Sequence, residues 1–176
     1  TQYSADLIHE YALRWLDEQT ADQSFLGIFT YTIPHAELWQ PNDSILQAYD
    51  GHFCDDTPYK GDAGSRYFAN ENPKAQFAAM ISRLDIMVGQ IMAKLDEKGM
   101  ADNTVLIFTS DNGPHAEGGA QPQFFNRDGL LRGIKRSMYE GGIRIPFIVR
   151  WPGHIQAGQV SHQMFAFYDL MPTFCD

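Results

Sequence analysis

Three short stretches of the 176-residue chain hold most of its candidate chemistry. The first, "FTSDNGPHAEGG" (108–119), sets the carboxylate of Asp111 beside the amide of Asn112, then Gly113-Pro114, then His115 with Glu117 close behind. Hard cations such as calcium and magnesium take oxygen ligands. Adjacent strand residues point to opposite faces, so Asp111 and Asn112 can share one ion only where the chain turns, and Gly113-Pro114 supplies a turn. The same residues also make a plain Asx turn at a strand end. The second stretch, "LRGIKRSMYEGGIRIPFIVRWPG" (131–153), places Lys135 between Gly133 and the pair Gly141-Gly142. Glycines permit close backbone approach and an ammonium is a compact point charge, a combination suited to an anionic oxygen group. A solvated surface lysine is the alternative. The third, "FLGIFTYTIPHAEL" (25–38), carries His35 after Pro34. Histidine changes charge near neutral pH, so His35 and His115 can each bind an anion or pass a proton, or serve as satisfied structural residues.

The remaining candidates are weaker. Cys54 has no basic neighbours of the kind that activate a thiol. His9, His52, His154 and His162 fall in no constellation. Arg132, Arg136, Arg144 and Arg150 suggest structural ion pairs, with Glu140 or Asp128 as partners.

These residues need elements to position them. "SADLIHEYALRWLDEQ" predicts a helix with Ser4 as N-cap and a stripe of Ile8, Tyr11, Ala12, Trp15 and Leu16. Residues 25–32 form a continuous apolar run, which predicts a strand buried on both faces. Residues 36–72 are loop-like. A long helix follows, with Asn72 as cap, Pro73 in the first turn, a stripe of Phe77, Ile81, Leu84, Val88, Ile91 and Leu95, and Gly99 as terminator. Residues 104–110 and 145–151 predict strands, with Pro146 favouring an edge or first position, and "FYDLMPTF" starts a last helix. Strand, long helix, strand predicts an α/β fold with a right-handed parallel crossover and helices on the sheet faces. In such sheets ligands bind beyond the carboxyl ends of strands, where His35, Asp111 and Asn112 fall.

A net charge of −9 excludes the basic surface that nonspecific nucleic-acid binding requires. No apolar run reaches membrane-span length. Two cysteines are too few for a disulfide framework. The chain opens on Thr1 and closes in "DLMPTFCD", as an internal fragment of a longer protein would.

Taken together, these stretches resemble the sulfatase family, of the arylsulfatase type within the alkaline-phosphatase-like superfamily. "AAMISRLDIMVGQIMAKLDEKGMADNTVLIFTSDNG" is similar to the family's helix–strand unit, so the resemblance covers most of residues 1–176 as a partial catalytic domain. It implies an alkaline-phosphatase-like mixed or parallel sheet and hydrolysis of sulfate esters. Asp111 and Asn112 would be calcium ligands, His35 and Lys135 catalytic contacts to the sulfate, and His115 a substrate-side histidine. The implied partner is a sulfated small molecule or glycan. The implied compartment is periplasmic, extracellular or lysosome-like. The nucleophile would be a formylglycine made from cysteine in a Cys-x-Pro-Ser-Arg motif.

That motif is missing: Cys54 and Cys175 are each followed by aspartate. So are the family's early Asp-Asp calcium pair and Lys-x-His contact. The chain therefore holds about half of such a site, and by itself is expected to be inactive. A related phosphodiesterase or phosphonate hydrolase, and a noncatalytic sulfoglycan- or calcium-binding pseudoenzyme, are the alternatives. Substrate choice would lie in loops 36–72 and 114–132, whose aromatics Trp39, Tyr49, Phe124 and Phe125 could stack on a sugar or cover the core edge. An unpaired sheet edge predicts self-association.

Overall fold

The structure, a computed structural model, describes residues 2–61, 64, 66–125 and 131–176. Helix α1 (Ser4–Glu18) buries Ala5, His9, Ala12 and Leu16, a stripe of alternating four- and three-residue steps. The stripe is rotated from the expected one, and Tyr11 is exposed. Ser4 is the first helical residue rather than the cap, a position held by Tyr3. Helix α2 (Ser44–Gln47) is capped by Asp43, whose carboxylate accepts from the backbone N–H groups of Ile45 and Leu46.

Helix α3 (Pro73–Glu97) is the spine of the molecule. It starts at Pro73 as expected, but its N-terminal donors are met from a distance. Asp56 Oδ2 accepts from the N–H groups of Lys74 (2.9 Å) and Ala75 (3.3 Å), and Asn72 makes no side-chain cap bond. Gly99 ends the helix with φ +66°, the left-handed conformation glycine adopts without steric cost. Its buried face follows Phe77, Met80, Met87, Ile91 and Leu95. Ile81, expected in the stripe, is 44% exposed, because methionines at 80 and 87 fill the interface instead.

Two clusters flank α3. One gathers Ala5, Ile33, Leu38, Phe77, Met80, Met87 and Ala120; the other gathers Leu16, Ile91, Leu95, Met100 and Ala101. Between α1 and α3 the Arg83 guanidinium is buried. It donates to Gln40 Oε1 (2.7 Å), Asp6 (2.9 Å) and Asp43, a charged network that binds both helices to the loop before α2. His9 serves the same end with neutral partners, Tyr31 Oη and Gln90 Oε1, each at 2.7 Å.

Strand β1 (Leu106–Thr109) pairs antiparallel with β2 (Phe147–Arg150), from Leu106 opposite Arg150 to Thr109 opposite Phe147. Helices around a sheet agree with the expected α/β class, while among the described residues the sheet holds these two strands alone and forms no parallel crossover. Residues 25–32 border neither strand, so no inter-strand ladder defines a strand there. Phe25, Phe29 and Tyr31 pack on the helices, while Leu26 and Ile28 are 73% and 77% exposed. The segment is therefore buried on one face, not two. A trough of about 2750 Å³ runs beside it, lined also by Ile81 and Val88 of α3 and Ile107 of β1. Helix α4 (Glu140–Ile143) and, after a 3-10 turn at Phe167–Asp169, helix α5 (Leu170–Cys175) complete the described elements.

Candidate active site

The site grows from the end of β1. Ser110 Oγ donates to the Asn112 carbonyl (3.1 Å), and Asn112 Nδ2 donates to the Gly113 carbonyl (2.8 Å). With its NH₂ group held on backbone, Asn112 leaves Oδ1 as its open acceptor. Asp111 is exposed, and among the described residues no cation pairs with it.

The turn that follows is locked onto the lysine stretch through backbone alone. Gly113 N donates to the Gly142 carbonyl (3.0 Å), Gly141 N to Arg132 (2.8 Å) and Lys135 N to Pro114 (2.8 Å). The approach is so close that a Cβ on Gly113 would lie 1.9 Å from the Gly141 oxygen, and one on Gly142 2.1 Å from the Ser137 oxygen. Here the glycines are required by space, as close backbone contact demands. They bring Lys135 to the end of β1. Lys135 is half-buried, and among the described residues no carboxylate pairs with it.

The histidines meet on the other side of the same turn. The rings of His35 and His115 stack with centroids 5.2 Å apart at 20°. His35 is exposed, and its Nδ1 donates to the Ala36 carbonyl, leaving Nε2 as the nitrogen for a ligand. His115 is 6% exposed. Its Nε2 donates to the Pro34 carbonyl (3.0 Å), and its Nδ1 lies 2.9 Å from Glu117 Oε2 and 3.2 Å from the Glu117 N–H. The other Glu117 oxygen accepts from Arg136. Burial pushes the Glu117 carboxyl up, but the Arg136 bond, a backbone bond and the charges of His115 and Arg136 outweigh it, and the group sits below its ordinary range.

His35, His115, Asp111 and Asn112 thus line one trough, while Lys135 joins through its backbone and does not line it. Among the described residues no group of three or more His, Cys, Asp or Glu could hold a metal. The donor set suits a hard cation in kind, an anionic and a neutral oxygen, and supplies part of the coordination such ions take.

The other expectations resolve as follows. Arg136 pairs with Glu117, Arg144 with Glu140 (3.7 Å) and Arg150 with Asp96 (3.3 Å), while Arg132 lies 3.6 Å over the Tyr139 ring. Asp128 lies outside the described residues. Tyr49 stacks on Phe53, and Phe124 and Phe125 meet Phe53 edge-on, so these aromatics cover the core edge. Trp39 is 52% exposed. Cys54 and Cys175 are exposed thiols. Tyr67, 6.4 Å from His35 between ring centroids, carried no sequence signal, because it lies in an irregular loop.

The sulfatase family model matches residues 1–176, and the chain belongs to that family. It is 37% identical over 165 residues to N-acetylgalactosamine-6-O-sulfatase of Bacteroides thetaiotaomicron, covering 90% of this chain and 30% of that protein. It is 38% identical over 110 residues to human arylsulfatase A, covering 60% of this chain and 20% of the relative. Among solved structures it is similar to Ps i-CgsB in complex with k-i-k-neocarrahexaose, with a TM-score of 0.65, 26% identity, and coverage of 90% and 30%. The chain therefore spans about 30% of the length of these longer matches.

Proposed function

We propose that these residues form part of the catalytic domain of a sulfuric-ester hydrolase acting on sulfated sugars. The observation that supports the reading is the backbone lock between Gly113-Pro114 and residues 132–142, which brings the backbone of Lys135 to the turn that follows Asp111 and Asn112. Lys135 and His35 Nε2 serve as donors to the sulfate oxygens, with the ring of His115 stacked on that of His35. Asp111 and Asn112 Oδ1 hold calcium, which when bound would offset the negative charge of the sulfate. Fixed donors aimed at developing charge lower a barrier without reorganising at the moment of reaction. The nucleophile of this chemistry would be a formylglycine outside these residues, so the 176-residue chain alone would not turn over. In the assembled domain, residues 25–32 would join strands of an alkaline-phosphatase-like sheet; the isolated chain would self-associate along that edge.

Glycan rather than aryl substrates are favoured by the similarity to a galactosamine sulfatase and to a carrageenan-oligosaccharide complex, and by exposed Trp39, whose face suits a sugar ring. By its family resemblance we assign this one to a periplasmic, extracellular or lysosome-like space. The test is release of inorganic sulfate from a sulfated oligosaccharide by the intact protein. Lys135→Ala should lower kcat by about 100- to 1000-fold, the scale of one lost oxyanion donor. Undiminished turnover in that variant refutes the assignment.

A further inference from the structure

Burial and pairing set Glu117 apart from the groups already given roles. It sits two residues beyond His115 and is 14% exposed in its side chain; one oxygen accepts from the Arg136 guanidinium, while Oε2 lies 2.9 Å from His115 Nδ1 as a buried oxygen with no hydrogen bond among the described residues. His115 in turn spends Nε2 on the Pro34 carbonyl, one residue before His35, and lays its ring flat against the His35 ring. Phe77 of α3 meets His115 edge-on at 6.4 Å between centroids. His115 is thus gripped at both nitrogens and along one edge, while its face supports His35. On the other side, residues 135 and 136 are clamped to residues 114–117 twice: Lys135 N on the Pro114 carbonyl, and the Arg136 guanidinium on Glu117. Arg136 holds φ +74°, a left-handed backbone that costs a side-chain-bearing residue about 1 kcal/mol or more. The chain keeps that conformation at the residue whose side chain reaches Glu117.

We infer that Glu117 is a positioning residue: bridged to Arg136, it holds His115 as the platform that orients His35 and ties that platform to the loop carrying Lys135. This rests on the proposed sulfate roles of His35 and Lys135. The chemistry is that of an outer-layer partner. A carboxylate one bond removed from the ligand-contacting group fixes ring orientation, and loss of such partners typically costs about 10- to 100-fold in activity. The cost falls on kcat because interactions that strengthen in the transition state suffer most when a donor is misaligned.

The substitution series separates holding from charge. In Glu117→Gln the amide oxygen still accepts from Arg136 and the NH₂ group donates to Nδ1 of a neutral His115, so the platform stays. In Glu117→Ala both side-chain links go, and only the backbone N–H of residue 117 still reaches Nδ1. For the intact protein acting on a sulfated oligosaccharide, Glu117→Ala should lower kcat about 10- to 100-fold with KM within about threefold, and Glu117→Gln should stay within about threefold of wild type. Arg136→Ala, at an exposed side chain, should lose a smaller part of kcat that Arg136→Lys restores. That pair carries the test if Glu117→Ala does not fold. The inference is overturned if Glu117→Ala keeps its kcat, if Glu117→Gln loses as much as Glu117→Ala, or if Arg136→Lys does no better than Arg136→Ala. Lys135→Ala serves as the control for the underlying reading. If it abolishes turnover while Glu117→Ala does not, only the positioning role fails.

Discussion

The two sides of the Gly113-Pro114 turn are built from similar residue types and treated in opposite ways. On the His115 side most groups are met within the fold: one Glu117 oxygen by Arg136, His115 Nε2 by the Pro34 carbonyl and His115 Nδ1 by the Glu117 N–H, with Glu117 Oε2 2.9 Å from that ring nitrogen. On the Asp111 side the Asn112 NH₂ is pinned to backbone, and Asp111 and Lys135 have no charged partner among the described residues. A polar group satisfied within the fold is part of the scaffold. A charge held in place by backbone contacts, yet left without a partner, is available to something from outside. The contrast assigns support to one side and ligand binding to the other.

Removing the hinge between them should have the largest effect. In Gly113→Ala the new methyl meets the Gly141 oxygen at 1.9 Å, with backbone on both sides and no flexible side chain to yield. Overpacking of this kind costs about 1–3 kcal/mol or more, and here it also separates Lys135 from the β1 end. Urea unfolding and sulfate-release assays on the intact protein should show both losses together; stability lost with full activity would break the link between lock and site. Next comes Arg83→Ala, which acts on the scaffold alone. It strips donors from Gln40, Asp6 and Asp43. Asp6 and Asp43 are 39% and 38% exposed and can recruit water, so the loss should be about 1–3 kcal/mol, below that for a fully buried pair. A calcium affinity changed by more than about threefold in this variant would contradict the division of labour.

Acid should act on the satisfied groups in a definite direction. Burial raises the Asp43 carboxyl, but Arg83 and the N–H groups of Leu46 and Ile45 outweigh it and hold it below its ordinary range. A lowered folded-state pKa contributes stability above the unfolded value, about 4, and loses it as pH falls through the folded value. The stability gap between wild type and Asp43→Asn should therefore be constant near neutrality and close below about pH 4, as measured by urea midpoints. Asp56 runs the other way: burial lifts its carboxyl despite two backbone bonds and Lys74, so its protonation favours the fold. The smallest effect belongs to Trp39→Ala. At 52% exposure it should change stability little, while raising KM for a sulfated oligosaccharide several-fold if the indole stacks on sugar. An unchanged KM would remove Trp39 from the substrate surface.

Much of this was legible in the residues, for identifiable reasons. Gly99 and Pro73 mark the ends of α3 because their backbone constraints act locally. The strands at β1 and β2 follow from short apolar runs with turn residues beyond them. Their antiparallel pairing does not, since direction depends on which segment lies alongside. Residues 25–32 carry the composition of a strand buried on both faces, yet composition cannot supply the neighbour that makes a ladder. The turns at 111–114 and 133–142 were legible as glycine-rich and polar; that Gly113 lies against the backbone of Gly141 and Gly142 is a tertiary fact. The pairing of Glu117 with His115 was available from spacing, whereas the partner of Arg136 was not, because Glu140 stands nearer in sequence.

Calcium titration of the intact protein tests the contrast at its centre. Wild type should bind the ion, and Asp111→Ala should weaken it by at least about tenfold, as expected when one of a few anionic ligands is lost, while the urea midpoint stays unchanged. Equal affinity in the two proteins would contradict the account, for the carboxylate left open at the end of β1 would then hold nothing.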